Sequence, residues 1–368
     1  MTGLAQRLRH LIEEHGPLPV ARFMALALAH PSQGYYARRD PFGRAGDFVT
    51  APEISQLFGE LIGLCLVQHW LDLGRPPRVL LVELGPGRGT LMADALRAAR
   101  AAPGFLAAAA VHLVETSPVL RERQAAALPG VAARWHDELR GVPADAPLLL
   151  VANEFLDALP IRQFVRAKER WHERLVAVDP DGTFRFVLSP RALPVTALAG
   201  PAADGLPEGS LIELGPARAA VTEEIAQRLV AQGGLALLID YGTAAPLMLG
   251  DTLQAVRGHR KVDPLAAPGE ADLSAHVDFA AIAGRARAAG ATVHGPVPQG
   301  VLLERLGLQL RLEALSRRAS PAQAAELAAG AARLSAPEQM GELFQALALT
   351  APAAPPPPGF TAAGGEGS

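Results

Sequence analysis

Cysteine occurs once in 368 residues, at Cys65, so the chain can close no disulfide within itself and has no multi-cysteine zinc site. An excess of one charge is also missing. The 34 basic residues stand against 37 acidic ones, which leaves no electrostatic footprint for nucleic acid or an anionic membrane. No apolar run approaches the roughly 18 residues a membrane helix requires. The ten histidines show no metal-ligand spacing, so no metal is expected. The first stretch, "MTGLAQRLRHLIEEHG", has apolar residues at helical spacing and carries Glu13 and Glu14. It therefore resembles neither a signal peptide nor an acid-poor transit sequence. Together these absences imply a soluble, cytoplasmic protein, long enough for two domains or for one domain with insertions. Cys65 falls on the apolar stripe Ile54, Leu57, Phe58, Leu61, Ile62, Cys65, and is expected to be a small core residue.

What is present changes texture along the chain. Residues 1–75 read as helices flanking one long polar loop, "GYYARRDPFGRAGDFVTAPE", Gly34 to Glu53. Thr50-Ala51-Pro52-Glu53 at its end fits a capping box with Pro52 in the first helical turn. From Arg78 short apolar runs, "RVLLVELG", "AAVHLVET" and "APLLLVANEF", alternate with helical stretches at Leu91 to Ala101 and Pro118 to Leu128. That alternation is the doubly wound α/β pattern, with strands buried on both faces. Ile161 to Pro190 alternates polar and apolar residues around the turn Asp179-Pro180-Asp181-Gly182 and reads as an antiparallel insertion. "LALLID", Leu235 to Asp240, resumes the buried sheet. A helix is expected near Phe279 to Ala289, and Ala-Leu-rich helices out to about Leu349. The tail "APAAPPPPGFTAAGGEGS" reads as low-complexity and disordered.

One segment is nearly repeated. "LVELGPGRGTL", Leu81 to Leu91, has a twin in "LIELGPARAAV", Leu211 to Val221. Gly85, Gly87 and Gly89 alternate in the first copy; the second keeps Gly215 but has Ala217 and Ala219 in place of the others. A β-carbon blocks close approach of the backbone to a ligand and penalises positive φ. Only the first copy can rest a ligand against its main chain. The second reads as another Gly-Pro helix start, with Glu213 facing the same cleft.

The spacing is G-x-G-x-G, preceded two positions earlier by Glu83. A dinucleotide fingerprint places pyrophosphate on the helix N-terminus, and a carboxylate is a poor neighbour for pyrophosphate. It is a good neighbour for a cation. S-adenosylmethionine carries an ammonium and a sulfonium and no phosphate, so the Glu83, Gly85, Pro86, Gly87, Gly89 turn suits it. Glu115 ends the second apolar run, where a carboxylate can hydrogen-bond both ribose hydroxyls. Asp137, in "RWHDEL", follows the expected third strand and falls near the adenine amino group.

"VANEFLDALP" follows the fourth run. Ligands of an open parallel sheet bind outside the carboxyl ends of its strands, which puts Asn153, Glu154 and Asp157 beside the reactive end of the cofactor. Methyl transfer is an in-line displacement that needs a positioned nucleophile and often a base. Glu154 and Asp157, three apart, would share one face of a helical turn and grip a cationic nucleophile. A helix cap at Asn153 with acids in the first turn is the alternative.

The segments "GYY…GDFVTAPEISQLFGELIG", "ELGPGRGTLM", "VETSP", "ANEFLDALP", "LLIDYG" and "TLQAVRGHRKVDPLAAPGEADLSAHVDF" resemble the MidA family of class I S-adenosylmethionine-dependent methyltransferases. That family includes a mitochondrial complex I assembly factor that methylates an arginine of a complex I subunit. The resemblance runs in order to about Leu349. It implies a Rossmann-like seven-stranded sheet with an N-terminal helical and loop region, an antiparallel insertion and added C-terminal helices. It also implies S-adenosylmethionine as cofactor and protein-arginine N-methylation, with a protein substrate such as a complex I subunit. One departure is Gly215, where the family pattern has serine.

On this reading residues 1–75 form a helical region with a lid loop and residues 76–300 a cofactor-binding α/β domain with an insertion at about 161–210. Residues 301–350 are helices and 351–368 a disordered tail. Tyr35, Tyr36, Asp47, Phe48 and Glu53 would form the lid. Asp240 and Tyr241 would end the fifth strand on the rim, and "VRGHRKVDP" offers Arg257 and His259 to an acidic partner surface. The alternative function is an assembly or chaperone-type binding protein that retains the cofactor pocket.

Overall fold

The run "VLLVEL" forms strand β1, Val79–Leu84, with all six residues buried. β2 (Ala109–Val114), β3 (Arg134–His136), β4 (Leu148–Asn153), β5 (Gly234–Thr243), β6 (Thr292–Pro298) and β7 (Phe344–Thr350) join it in the spatial order β6-β7-β5-β4-β1-β2-β3. The pairings β1–β2, β2–β3, β1–β4 and β4–β5 are parallel, while β7 runs antiparallel between β5 and β6. Among the described residues the sheet counts eight strands, seven of them on this path, against the expected count of seven. Strand order, not strand direction, reverses at β1: β2 and β3 lie to one side, β4 and β5 to the other. In an open parallel sheet that reversal leaves a crevice at the carboxyl ends of the two central strands.

This computed structural model describes residues 3–38, 47, 49–194, 203, 205–245 and 247–360. Phe48, expected in the lid, lies outside the described residues. By internal contacts the chain divides into two units. The one holding this sheet comprises Val49–Phe155, Thr222–Gly242 and Ala283–Ser368; the other comprises Met1–Phe48, Leu156–Val221 and Thr243–Ile282.

In the sheet-bearing unit, the helix Gln56–Asp72 is buried along most of its length, and Cys65 lies in its core as expected. Burial pushes the Cys65 thiol up to about 12, which makes it unreactive near neutrality. A β-carbon on Gly63 would come within 2.5 Å of the Ala95 Cα, and one on Gly59 within 2.7 Å of the Asp94 Cβ. These two glycines let Gln56–Asp72 press closely on helix Thr90–Ala99, which begins right after the glycine turn. The expected capping box at Thr50 does not form. Thr50 makes no side-chain cap, the helix there is the single turn Ala51–Ile54, and Glu53 is drawn to Thr90 and Arg88 instead. The working cap is Ser55, whose hydroxyl accepts the Leu57 N–H at 3.3 Å.

Two expectations for the C-terminal part are corrected. Helices Gln299–Arg305, Leu308–Ser316 and Pro321–Ser335 are present, but Phe344–Thr350 is strand β7, not helix. A short Ala-Leu run has no decisive period, and burial between two strands outweighs the helix propensity of alanine. The tail is placed as far as Phe360. The Pro358 carbonyl accepts from the Cys65 thiol at 3.6 Å and the Gly359 carbonyl from Arg305 at 3.2 Å, so prolines that rule out helix still seat against the core.

The other unit carries the antiparallel insertion. Strands Arg162–Ala167, Arg170–Val178 and Phe184–Leu193 form successive antiparallel pairs, and Leu18–Pro19 adds an edge. Gly182, at φ +85°, closes the hairpin where the Asp-Pro-Asp-Gly turn was expected. The strand of the second twin, Leu211–Leu214, pairs antiparallel with Arg162–Ala167. It is no strand of the large sheet, and so it cannot furnish a second parallel-sheet crevice. Helices Gly3–His15 and Val20–Ala29 pack Leu4, Leu8, Phe23 and Met24 into this unit's core.

Candidate functional site

At the carboxyl end of β1 the chain passes through three glycines in left-handed backbone: Gly85 at φ +62°, Gly87 at +52° and Gly89 at +84°. Any side chain there would be strained by roughly 1–2 kcal/mol per residue. Space is short as well. A β-carbon on Gly85 would lie 2.9 Å from the Phe155 ring, and one on Gly89 would lie 3.2 Å from the Gln124 Cα. Gly89 is the N-cap of helix Thr90–Ala99 and presents no side chain of its own to that helix end.

Glu83 lies one residue inside the strand end and is only 3% exposed. Its Oε2 has no hydrogen-bond partner among the described residues. Burial alone raises its carboxyl to about 8. A buried carboxylate of this kind is stabilised by a cation, so an ammonium-bearing ligand resting on the bare turn fits these residues.

Glu115 follows β2. Its Oε1 accepts the Ser117 N–H at 2.7 Å, and its Oε2 accepts Gln124 Nε2 at 3.3 Å. Burial raises its carboxyl, with the hydrogen bonds acting in opposition. Gln124 also donates to the Gly87 carbonyl at 2.8 Å and accepts the Trp135 indole N–H at 2.8 Å. Sequence reading missed this glutamine: it sits mid-helix in Pro118–Ala127, with no local motif to mark it. Asp137 is the outlier among the expected acids. Its side chain is 79% exposed and pairs with Arg121 at 2.7 Å.

At the end of β4, Asn153 is buried and closes the strand. Its Oδ1 has no partner among the described residues, while its Nδ2 donates to Glu154 Oε1 at 3.1 Å. The same Oε1 accepts the Ala51 N–H at 2.9 Å. Glu154 has φ +50° and the residues after it form bends and turns. The expected helical turn bearing Glu154 and Asp157 on one face is therefore absent, as is the helix that Asn153 might have capped. The kink comes from a left-handed residue directly after a buried strand. Glu53, within the Ala51–Ile54 turn, accepts the Thr90 hydroxyl and lies 3.5 Å from Arg88. On β5, Asp240 is fully buried and accepts the Tyr241 N–H at 2.9 Å; the Tyr241 ring packs edge-on against Phe344 at 5.6 Å.

The other unit holds the remaining candidates. Tyr35 is fully buried, and its hydroxyl donates to Asp47 at 2.6 Å. Asp47 in turn accepts the Gly258 N–H at 2.7 Å through its carboxylate and the His259 N–H at 3.1 Å through its carbonyl. Tyr36 donates to Asp272 at 2.8 Å and packs edge-on against Tyr35 at 5.2 Å. Burial, then Asp272 and Asp157, raise the Tyr36 phenol well above its ordinary value. Arg257 pairs with Glu270 at 2.8 Å. Asp157 is buried, and its carbonyl accepts Ala275 N–H at 3.1 Å and an Arg218 guanidinium N–H at 3.2 Å. Arg218, from the second twin, donates further to the carbonyls of Leu156 at 2.7 Å, Ala275 at 2.8 Å and His276 at 2.6 Å. Gly215 is kept in that twin to make room, since a β-carbon there would lie 2.7 Å from the Arg218 Cδ. Glu213, expected to face the cofactor, is instead buried in this unit against Gln163 at 2.7 Å and the Thr252 N–H at 3.0 Å. Among the described residues no three His, Cys, Asp or Glu side chains are grouped to hold a metal, and no helix is long and apolar enough to cross a membrane.

Residues 61–297 match the family described as "S-adenosyl-L-methionine-dependent methyltransferase", a span that holds the turn, Glu115 and the β4 motif. The chain belongs to this methyltransferase family. A Mus musculus relative, "Protein arginine methyltransferase NDUFAF7, mitochondrial", is 38% identical over 95% of the chain and 84% of its own length. A Drosophila melanogaster relative, the homologue of the same protein and likewise named mitochondrial, is 40% identical over 94% of the chain and 84% of its own length. A crystal structure of a COG1565 superfamily member from Burkholderia thailandensis bound to S-adenosyl-homocysteine is 31% identical, with a TM-score of 0.84 over 98% of this chain and 95% of that one. S-adenosylmethionine is thus the cofactor of this methyltransferase, as the glycine spacing and Glu83 implied. The expected cytoplasmic location is overturned, because the curated relatives are named as mitochondrial proteins.

Proposed function

We propose that this methyltransferase transfers a methyl group to an arginine nitrogen of a partner protein. The observation that carries this reading is the relatives' shared name, protein arginine methyltransferase, at 36–40% identity over nearly the whole chain. The acids at the ends of β1 and β4, Glu83 buried and Glu154 half-buried, support it. When bound, the cofactor supplies an electrophilic methyl on a positively charged sulfur. Glu83 and the backbone of Gly85, Pro86, Gly87 and Gly89 hold its amino-acid end, and Glu115 holds its ribose. Asp137 is assigned the adenine edge. Asn153, whose Oδ1 has no partner among the described residues, takes the remaining polar contact beside the turn.

An arginine guanidinium stays protonated near neutrality, so the site must grip a cation and accept a proton as the nitrogen attacks. Glu154 and Asp157 are assigned that work. Tyr35 holds Asp47, which in turn accepts from the 254–262 hairpin, Tyr36 holds Asp272, and Glu53 steadies Thr90 at the start of the helix after the turn. Asp240 and Tyr241 border the carboxyl end of β5. Arg257 and His259 lie on the hairpin, which is assigned the outer contacts with the partner protein; a respiratory complex I subunit is the first candidate.

The test is direct. The protein is incubated with methyl-labelled S-adenosylmethionine and a lysate from cells that lack it, and the labelled residue is located by mass spectrometry. Label on arginine supports the reading. Label confined to another residue type, or none above a Gly87→Val control, overturns it.

A further inference from the structure

Gln124 is fully buried, and each of its polar atoms is engaged. Its Nε2 donates to the Gly87 carbonyl at 2.8 Å and to Glu115 Oε2 at 3.3 Å; its Oε1 accepts the Trp135 indole at 2.8 Å. Gly87 belongs to the turn after β1, Glu115 to the end of β2 and Trp135 to β3. One amide therefore ties together three neighbouring strand ends. A primary amide has two N–H donors, and here both are spent on the groups assigned to the cofactor.

The arrangement has a chemical consequence. Glu115 must present its carboxylate to two ribose hydroxyls at a set angle. The Ser117 N–H fixes one oxygen and Gln124 fixes the other. The Gly87 peptide must likewise hold its left-handed form, at φ +52°, while its carbonyl is turned toward the helix that carries Gln124. Gly89 lets that helix come close, since its missing β-carbon would have met the Gln124 Cα at 3.2 Å. We infer that Gln124 is a positioning residue that locks the glycine turn and Glu115 into one unit, and thereby sets affinity for ligands bearing the ribose hydroxyls. This rests on the assignment of Glu115 and the turn to the cofactor.

The experiment is calorimetric titration of the full chain with S-adenosyl-homocysteine, which needs no turnover. Gln124→Met keeps the shape and removes both donors; it is expected to weaken Kd by about tenfold or more. Glu115→Gln should weaken it too, and the double variant should lose clearly less than the product of the two, because the first change already releases Glu115. The preference for S-adenosyl-homocysteine over its 2′,3′-dideoxy analogue should narrow in Gln124→Met. A general packing defect would leave that preference intact. A Kd for Gln124→Met within about twofold of wild type, or fully multiplicative losses, overturns the inference. If Glu115→Gln binds normally, the assignment of Glu115 itself fails, which is a separate result. Should Gln124→Met not fold, Gln124→Leu, also uncharged and without donors, gives the same reading, with the same twofold threshold, about the limit of a resolvable difference.

Discussion

The Glu154 carboxylate accepts the backbone N–H of Ala51 at 2.9 Å, and through this bond the residue proposed to handle the proton also pins the first turn of a neighbouring segment. The two tasks can be separated. A glutamine at 154 keeps an oxygen that can accept from Ala51 but cannot take a proton. Glu154→Gln is therefore expected to bind S-adenosyl-homocysteine normally while turnover falls by about a hundredfold or more. Glu154→Ala should also lose about 1 kcal/mol of stability with the cap. Steady-state kinetics and urea unfolding read the two effects, and unchanged turnover in Glu154→Gln would reject the assignment.

Burial raises the Glu83 carboxyl from its ordinary 4.5 to about 8. Between those values the folded protein keeps a proton that the unfolded chain has released. Stability from this group is full below about pH 4.5 and is lost as pH rises through about 8. Glu83→Gln, neutral throughout, should gain on wild type in unfolding free energy from pH 5 to pH 8. A constant difference would contradict the buried acid. A cation bound beside Glu83 favours its ionised form, so titration with S-adenosylmethionine near pH 7 should release a proton, seen as heat that depends on the buffer.

Gly87→Ala places a β-carbon on a left-handed turn. Binding of S-adenosyl-homocysteine is expected to fall by about tenfold or more, equivalent to ~1.4 kcal/mol, with the fold retained. Ala217→Gly, the reverse change in the second twin, should leave binding unaltered. Affinity gained by Ala217→Gly would mean that the second twin also meets the ligand.

Gly63→Ala puts a β-carbon 2.5 Å from a backbone atom of the facing helix. Helix Thr90–Ala99 must shift, and the expected cost is about 1–3 kcal/mol. Because that helix starts at the glycine turn, ligand affinity should weaken alongside the unfolding free energy. Normal stability would show that the helices can part without cost.

Arg218→Met removes the donors to four backbone carbonyls, in Leu156, Asp157, Ala275 and His276. Unsatisfied buried acceptors cost about 1–3 kcal/mol each, so stability should fall by several kcal/mol unless water reaches them. Urea unfolding measures this. A loss under about 1 kcal/mol would show that the segment after the β4 motif is held by other contacts.

Much of the candidate site was legible because its signals are local. Glycines at alternate positions, an acid two residues before them and an acid after the next apolar run are facts about neighbours in the chain. The antiparallel hairpin announced itself in Asp179-Pro180-Asp181-Gly182 for the same reason. What failed was non-local. Thr50 has every feature of a cap, yet Glu53 finds partners in Thr90 and Arg88, which only the close crossing of two helices provides. Phe344–Thr350 has the composition of a helix and becomes the last strand placed in the sheet, because a gap between β5 and β6 needs an apolar ribbon. Gln124 is an ordinary helical residue until three strand ends converge on it.

The residue order by itself determined where the backbone can be left-handed, which runs must be buried and which acids close them. Those properties follow from side-chain sterics and solvation within a few residues. Only the tertiary structure decided that one twin ends a parallel strand at the reversal of the sheet, while the other joins an antiparallel sheet and spends its arginine on four carbonyls. Pairing partners are chosen by the burial of surfaces far apart in the chain, and no local pattern records that choice.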